Sequence, residues 1–287
     1  MSKLHTFAPA KVNLTLRVHA RRQDGFHELA SLVVFAEVGD QLSLEPAAAA
    51  DLSVIGPMAP AAGLTSDNLV LKATRALAES VPGLRSGRFL LTKNLPAGAG
   101  LGGGSSDAAA ALRLLTRLNG FATDDPKVLQ AARKAGADVP ACIEPRTRLM
   151  QGIGDELSPP INLPPLDAVI VFPGTSVATR DVFHSYASTD IQSGPYHWSR
   201  VPTERGALLE FLIRERNDLE PAASNLVPAI GDARRVLEKT GRPLLVRMSG
   251  SGSAVFAIYE NGRNATEAAA EIRDTRPDWW IIATTLG

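Results

Sequence analysis

Five glycines fall within the seven positions from Gly98 to Gly104, and the run passes straight into Ser105, Ser106 and the alanine-rich stretch Ala108 to Leu118. Without Cβ atoms the backbone can turn tightly and let a ligand approach its amides. Ser105 or Ser106 is expected to cap the following helix, leaving the free N–H groups of its first turn aimed at the loop. Unpaired donors and the positive end of the helix dipole favour an anion there. The chemistry indicated is a cradle for polyphosphate. A P-loop would need Gly-Lys-Ser/Thr after the glycines, and no lysine follows them. Gly98-x-Gly100-x-x-Gly103 matches a dinucleotide fingerprint literally, but that motif needs a second strand ending in an acidic residue about 20 residues on. Here Asn119-Gly120 ends the helix and Asp124-Asp125-Pro126 opens another. A flexible linker would not run into a capped, amphipathic helix.

A second set of polar residues sits near the N-terminus. Phe7 to Val18 alternates, with Val12, Leu14, Leu16 and Val18 on one face and Lys11, Asn13, Thr15 and Arg17 on the other. That pattern predicts a half-buried strand in which Lys11 and Asn13 point the same way, about 7 Å apart. A third candidate, Asp138, lies in Gly136-Ala137-Asp138-Val139-Pro140. Gly136 suits a helix end and Pro140 a helix start, so Asp138 belongs to a tight connection.

The elements that must position these residues follow from periodicity. Strands are expected over 29–36, 41–45, 88–93, 168–172, 244–248, 254–258 and 279–284, with a turn at Val38-Gly39-Asp40. Helices are expected over 68–80, 126–135, 206–214, 222–230, 231–240 and 265–273. Residues 47–50, 57–63 and 188–204 read as loops, Ser249-Gly250-Ser251-Gly252-Ser253 as a second small-residue loop, and the proline-rich 158–165 as a domain boundary.

Composition narrows the class. The chain has 287 residues, 45% hydrophobic and 21% charged, with a formal net charge of zero. That describes a globular protein with a sizeable core and disfavours broad attraction to nucleic acid or anionic lipid. The single cysteine, Cys142, excludes an internal disulfide and a Cys-based metal cluster, and is expected as a small core residue. Met1 to Phe7 lacks the apolar core of a signal peptide and no apolar run reaches membrane-spanning length, so a cytoplasmic location is expected.

Three segments, taken in order, resemble the signature motifs of the GHMP small-molecule kinases. They are Pro9-Ala10-Lys11-Val12-Asn13-Leu14, then Pro96-Ala97-Gly98-Ala99-Gly100-Leu101-Gly102-Gly103-Gly104-Ser105-Ser106, then Arg247-Met248-Ser249-Gly250-Ser251-Gly252. Asp24-Gly25-Phe26-His27 and Gly136 to Pro140 resemble the branch whose alcohol acceptor carries a cytidine diphosphate. The resemblance runs from Phe7 to about Ile258 and is weakest over 184–216. It implies a two-domain α+β fold, with residues 1–160 as an N-terminal domain and 161–287 as a C-terminal domain, and the active site in the cleft between them.

The resemblance also assigns roles. Asp138 would accept the proton of the acceptor hydroxyl, while Lys11 would keep that carboxylate charged and stabilise the transferred group. Pro96 to Ser106 would wrap the phosphates of ATP, with Asn68 and Lys93 at the adenine and Ser249 to Ser253 closing over the site. Phe26 and His27 would stack on the cytosine and bond its edge; the family's usual tyrosine is replaced here by Phe26, whose ring still stacks. Asn13 would contact the acceptor, and Ile153, Thr179 and Phe183 would line its cytidine pocket. Mg²⁺ is expected with ATP, held mainly by phosphate oxygens and water, with Ser106 as a contributor and no carboxylate ligand assignable. The partner is a small molecule, with no nucleic acid or membrane, and the protein is expected as a monomer or homodimer. Two rivals remain open: a GHMP kinase acting on homoserine, mevalonate or a sugar, and a nucleotide-binding regulator without turnover.

Overall fold

The computed structural model describes residues 3–21, 27–63, 67–187 and 200–287. Its strands are β1 (Leu4–Asn13), β2 (Arg17–Arg21), β3 (His27–Ala47), β4 (Asp51–Ile55), β5 (Ser86–Thr92), β6 (Arg148–Gly152), β7 (Glu156–Leu157), β8 (Leu166–Phe172), β9 (Leu245–Met248), β10 (Val255–Ile258) and β11 (Trp280–Leu286). Its α-helices are α1 (Leu69–Ser80), α2 (Gly103–Asn119), α3 (Pro126–Ala135), α4 (Val139–Ile143), α5 (Thr179–Ala187), α6 (Arg205–Arg214), α7 (Glu220–Leu226), α8 (Ala229–Lys239) and α9 (Gly262–Thr275). The fold is α+β. No helix among the described residues is long and apolar enough to cross a membrane.

The chain forms two compact units that interleave along the sequence rather than meeting once near residue 160. One comprises Met1–Lys11, Val38–Ala97 and Gly102–Pro145; the other comprises Val12–Glu37, Gly98–Leu101 and Arg146–Gly287. The interleaving has a simple cause. β3 pairs through residues 41–47 with β5 and through residues 29–33 with β6, so the two halves of one strand fall in different units.

In the first unit, the second half of β3 pairs antiparallel with β5, and β4 adds to β5 in parallel. α1, α2 and α3 pack together through Val70, Ala73 and Leu77, Ala108 to Leu112, and Val128, Ala131 and Ala132, all fully or almost fully buried. Four consecutive alanines, Ala108 to Ala111, keep α2 slim enough to be surrounded on every side. Asn68 caps α1 by accepting from Val70 N at 3.0 Å, and Asp125 caps α3 ahead of Pro126. Such caps contribute about 1 kcal/mol each.

In the second unit, β9, β10, β8 and β11 form an antiparallel sheet, and β11 meets the first half of β3 at Leu286 and Ala36. Ile230, Ala233 and Leu237 of α8 and Ala265, Ala269 and Ile272 of α9 belong to the same buried cluster as Val169, Val171 and Val255 of the sheet.

Several expectations change. The stretch 7–18 is not one half-buried strand: it breaks after Asn13, and both faces are covered, with Lys11 and Asn13 only 3% and 2% exposed. Leu16 leaves the strand pattern to bridge Asn217. The expected turn at Gly39 is absent, and β3 runs straight through it. Glycine is required there because a Cβ would stand 2.3 Å from the Ala8 carbonyl oxygen. β4, β6, β7 and α5 were not anticipated; all are short, and β4 and β6 pair with strands distant in sequence. Residues 188–199 of the expected long loop, and Asp24 to Phe26, lie outside the described residues. Cys142 is buried as expected, and burial pushes its thiol up to about 11.

Candidate active site

In the first unit, β1 delivers Lys11 and the α3–α4 connection delivers Asp138. Lys11 Nζ lies 3.0 Å from Asp138 Oδ2. The lysine is almost fully buried while the aspartate side chain is 38% exposed, so the pair has one sealed side and one open side. Asp138 stands at the N-cap of α4 but makes no capping hydrogen bond, which leaves its carboxylate to the lysine and to whatever approaches from outside.

The glycine loop meets α2 beside this pair. α2 begins at Gly103, earlier than expected, and neither serine caps it: the N-cap is Gly102, in the left-handed region at φ 61°, with no side-chain cap. A Cβ on Gly102 would come within 3.1 Å of the Lys11 stem, so conformation and crowding both call for glycine. The serines instead fall inside the first turn. Ser106 is buried and its hydroxyl donates to the Pro9 carbonyl at 2.6 Å. The absence of a side-chain cap leaves the first-turn amides of α2 as ready donors for an anion.

Lys93, at the entry to the loop, is 4% exposed. Its Nζ bonds Asp40 Oδ2 at 2.5 Å and Asp107 Oδ2 at 2.7 Å, and Asp40 Oδ1 accepts from the amides of Asn94 and Leu95 at 2.6 and 2.9 Å. Two buried carboxylates thus share one ammonium. Burial pushes the Asp107 carboxyl up to about 7, against the pull of Lys93, and Asp107 Oδ1 has no hydrogen-bond partner. Burial alone would lower Lys93, yet the flanking Asp107 and Asp40 hold its ammonium above the usual lysine value. Neither aspartate was a sequence candidate. Asp40 was assigned to a turn, and Asp107 had no assigned role. The available signal was a lysine closely following the apolar run Phe89-Leu90-Leu91 at the mouth of a glycine loop, which cannot be buried without acidic partners. Asn68, assigned with Lys93 to an adenine pocket, uses its Oδ1 as the cap of α1.

In the second unit, the Ser249–Ser253 loop joins β9 to β10. The Ser249 hydroxyl accepts from Asn13 N and donates to Gly100 O, each at 3.1 Å, and Ala254 N donates to Ala99 O at 2.8 Å. Gly100 can be nothing larger, since a Cβ would sit 2.6 Å from Ser249 O. Asn13 is fixed further by its Nδ2, which donates to Ser31 Oγ at 2.6 Å. Residues from all three glycine- or asparagine-bearing motifs therefore meet within this unit.

A second group in this unit is aromatic. His27, at the start of β3, stacks on Phe183 of α5 with ring centroids 5.3 Å apart and an interplanar angle of 27°. Tyr186, which sequence reasoning did not single out, presents its edge to the same imidazole at 6.4 Å. Thr179 starts α5 and shares a 2.8 Å hydrogen bond with Ser251 Oγ, tying that helix to the Ser249–Ser253 loop. Ile153 lies half-buried in the turn after β6, whose Gly152 faces Leu29 on β3, two residues from His27. Phe26 lies outside the described residues.

No cluster of three or more His, Cys, Asp or Glu side chains that could hold a metal ion occurs among the described residues. The carboxylates closest to the glycine loop are already paired with Lys11 and Lys93. The donor set does not fit a resident metal.

Comparison with known proteins places these features in a family. The GHMP kinases N terminal domain model matches residues 68–145, and the GHMP kinases C terminal model matches residues 203–278. A 4-diphosphocytidyl-2-C-methyl-D-erythritol kinase of Xanthobacter autotrophicus is 52% identical over the full length of both chains. Its counterpart from Azorhizobium caulinodans is 49% identical, again over the full length of both. Among solved structures, a 4-(cytidine 5'-diphospho)-2C-methyl-D-erythritol kinase superposes with a TM-score of 0.81 at 36% identity, covering 99% of each chain.

Proposed function

The chain belongs to the 4-diphosphocytidyl-2-C-methyl-D-erythritol kinases of the GHMP superfamily, and on that premise we propose how its residues carry out the reaction. The protein is an ATP-dependent kinase. It transfers the γ-phosphoryl group of ATP to the 2-hydroxyl of 4-diphosphocytidyl-2-C-methyl-D-erythritol, a step of non-mevalonate isoprenoid precursor synthesis. A bond forms between the 2-oxygen and the γ-phosphorus, the bond to the β–γ bridging oxygen breaks, and ADP leaves. The hydroxyl proton passes to a base.

Asp138 is that base in this reading. Its half-open carboxylate can receive the proton, and Lys11, 3.0 Å away with its stem sealed against Gly102, supplies fixed positive charge to the transferring group. The uncapped first turn of α2 and the glycines before it receive the phosphates. Because the described residues build no metal cage, Mg²⁺ is assigned to the nucleotide itself, held by phosphate oxygens and water. His27 and Phe183 serve the cytosine, Phe183 offering a ring face and His27 a polar edge, with Phe26, Ile153 and Thr179 assigned to the same end of the acceptor. Asn13 is assigned to the acceptor's diphosphate or methylerythritol portion.

The observation that carries this reading is the Lys11–Asp138 pair beside an uncapped, glycine-led helix start. A binder without turnover has no use for a paired base. The test is a phosphate-transfer assay with Mg-ATP, offering the cytidyl acceptor beside homoserine and mevalonate. Turnover of the cytidyl acceptor alone is expected, and Asp138→Asn should lower kcat by about 10²–10⁴-fold with ATP still bound. Turnover of another acceptor would sink the assignment of His27 and Phe183. An unaffected Asp138→Asn variant would remove the base.

A further inference from the structure

The Ser249–Ser253 loop is held from outside its own hairpin. Asn217, in the connection between α6 and α7, is 4% exposed and aims its amide at the loop's backbone. Its Nδ2 donates to Met248 O at 2.9 Å and to Gly250 O at 2.7 Å, while its Oδ1 accepts from Leu219 N at 3.0 Å. The amide plane is thereby fixed from both ends, and no rotation preserves the set. Glu220 adds a third tie, its Oε2 accepting from Met248 N at 3.0 Å while Oε1 pairs with Arg234.

The connection is itself anchored. Leu16 N donates to Arg216 O at 3.0 Å, Asp218 N to Leu16 O at 2.8 Å, and Val18 N to Asp218 Oδ2 at 2.9 Å. The carbonyls that Asn217 grips flank Ser249, whose hydroxyl bonds Asn13 N and Gly100 O. A chain of short hydrogen bonds thus runs from the β1–β2 junction through Asn217 and Ser249 to the tip of the glycine loop.

We propose that Asn217 is a positioning residue for phosphoryl transfer: by gripping the carbonyls on either side of Ser249 it sets the Ala99–Gly100 tip that receives the nucleotide's phosphates. The inference rests on the kinase reading above. Only a planar amide supplies two N–H donors from one nitrogen together with an acceptor at this length. Aspartate would turn lone pairs towards two carbonyl oxygens, and serine would keep at most one donor.

The test compares wild type with Asn217→Asp and Asn217→Ser, each assayed well below its own melting temperature, reading KM for ATP, KM for the cytidyl acceptor and affinity for a fluorescent ATP analogue. Asn217→Asp should weaken nucleotide binding and raise KM for ATP by roughly ten-fold, the scale of a buried hydrogen-bonding group left unpaired. KM for the acceptor should change less than KM for ATP, because Asn13 meets Ser249 only through its backbone N–H and keeps its side-chain bond to Ser31. Asn217→Ser should fall between the two, and it decides the matter if the aspartate variant does not fold. Lower melting temperatures with both KM values and the analogue's affinity unchanged would overturn the proposal, leaving Asn217 a purely structural residue. If the wild type proved not to turn over the cytidyl acceptor, the kinase reading would fail, while the analogue's affinity would still decide the role of Asn217.

Discussion

The two units anchor their parts of the glycine loop by opposite means. In the first, the anchor is ionic: Lys93 holds Asp40 and Asp107 in a buried triad that ties the loop's entry to the N-terminal half of α2. In the second, it is neutral: the Asn217 amide grips backbone carbonyls, which in turn fix Ser249 against Gly100. The ionic anchor is strong only while charges balance, since one ammonium cannot neutralise two carboxylates in a medium of low dielectric. The Asn217 amide carries no such imbalance and does not itself titrate. One end of the loop therefore rests on a group that can gain or lose a proton near neutrality, and the other does not.

Removing the cation should separate the two anchors most sharply. Lys93→Met leaves two buried carboxylates without their partner, a loss of about 3–5 kcal/mol, or roughly 10 °C in melting temperature. Asn217→Leu leaves the carbonyls of Met248 and Gly250 and the N–H of Leu219 unserved, at about 1–3 kcal/mol. Thermal melts of the two variants at pH 8 check the order. Equal losses would show that charge is not what distinguishes the anchors. The comparison sharpens if Asp107→Asn, added to Lys93→Met, restores part of the lost stability, because it removes one of the stranded charges.

The difference also governs what the sequence disclosed. Lys11, the glycine loop, Asp138 and the Ser249–Ser253 loop were singled out because each lies in a contiguous motif that resembles a family signature. The helices over 126–135 and 231–240 were legible for a similar cause, since caps, proline and periodicity are local. The anchors were not. Asp40 and Asp107 meet Lys93 across 53 and 14 residues, and Asp40 sat beside Gly39, whose role is to let Ala8 approach rather than to turn the chain. Asn217 stands between two helices, where an Asn-Asp pair reads as an ordinary helix start; its bond from Leu219 N is such a local motif, and its grip on Met248 and Gly250 is not. His27 and Phe183 were both candidates for one pocket, but their stacking on each other rests on α5, a helix too short and polar to be expected. Long-range pairing has no period, and that is the part of the site a single sequence withholds.

The smallest expected effect follows from titration of the ionic anchor. The groups facing Asp107 are Lys93 and, through it, Asp40. Asp107 is raised from its ordinary 3.8 to about 7, mainly by burial, so the folded protein binds this proton more tightly than the unfolded chain does. Its contribution to stability is therefore complete below about pH 4 and is lost as pH rises towards 7 and beyond. Asp107→Asn removes the titration while keeping a polar group beside Lys93, leaving one cation with one carboxylate. At about pH 4 and below, where Asp107 is protonated in the folded and unfolded chain alike, the wild type should melt close to the variant. Between about pH 4 and pH 7 it should fall progressively behind, and above pH 7.5 the gap should level off. The offset caused by Asn217→Leu should stay constant over the same range. Parallel pH profiles for wild type and Asp107→Asn would mean that the triad holds both carboxylates charged throughout, and that the two anchors differ in strength but not in their response to protons.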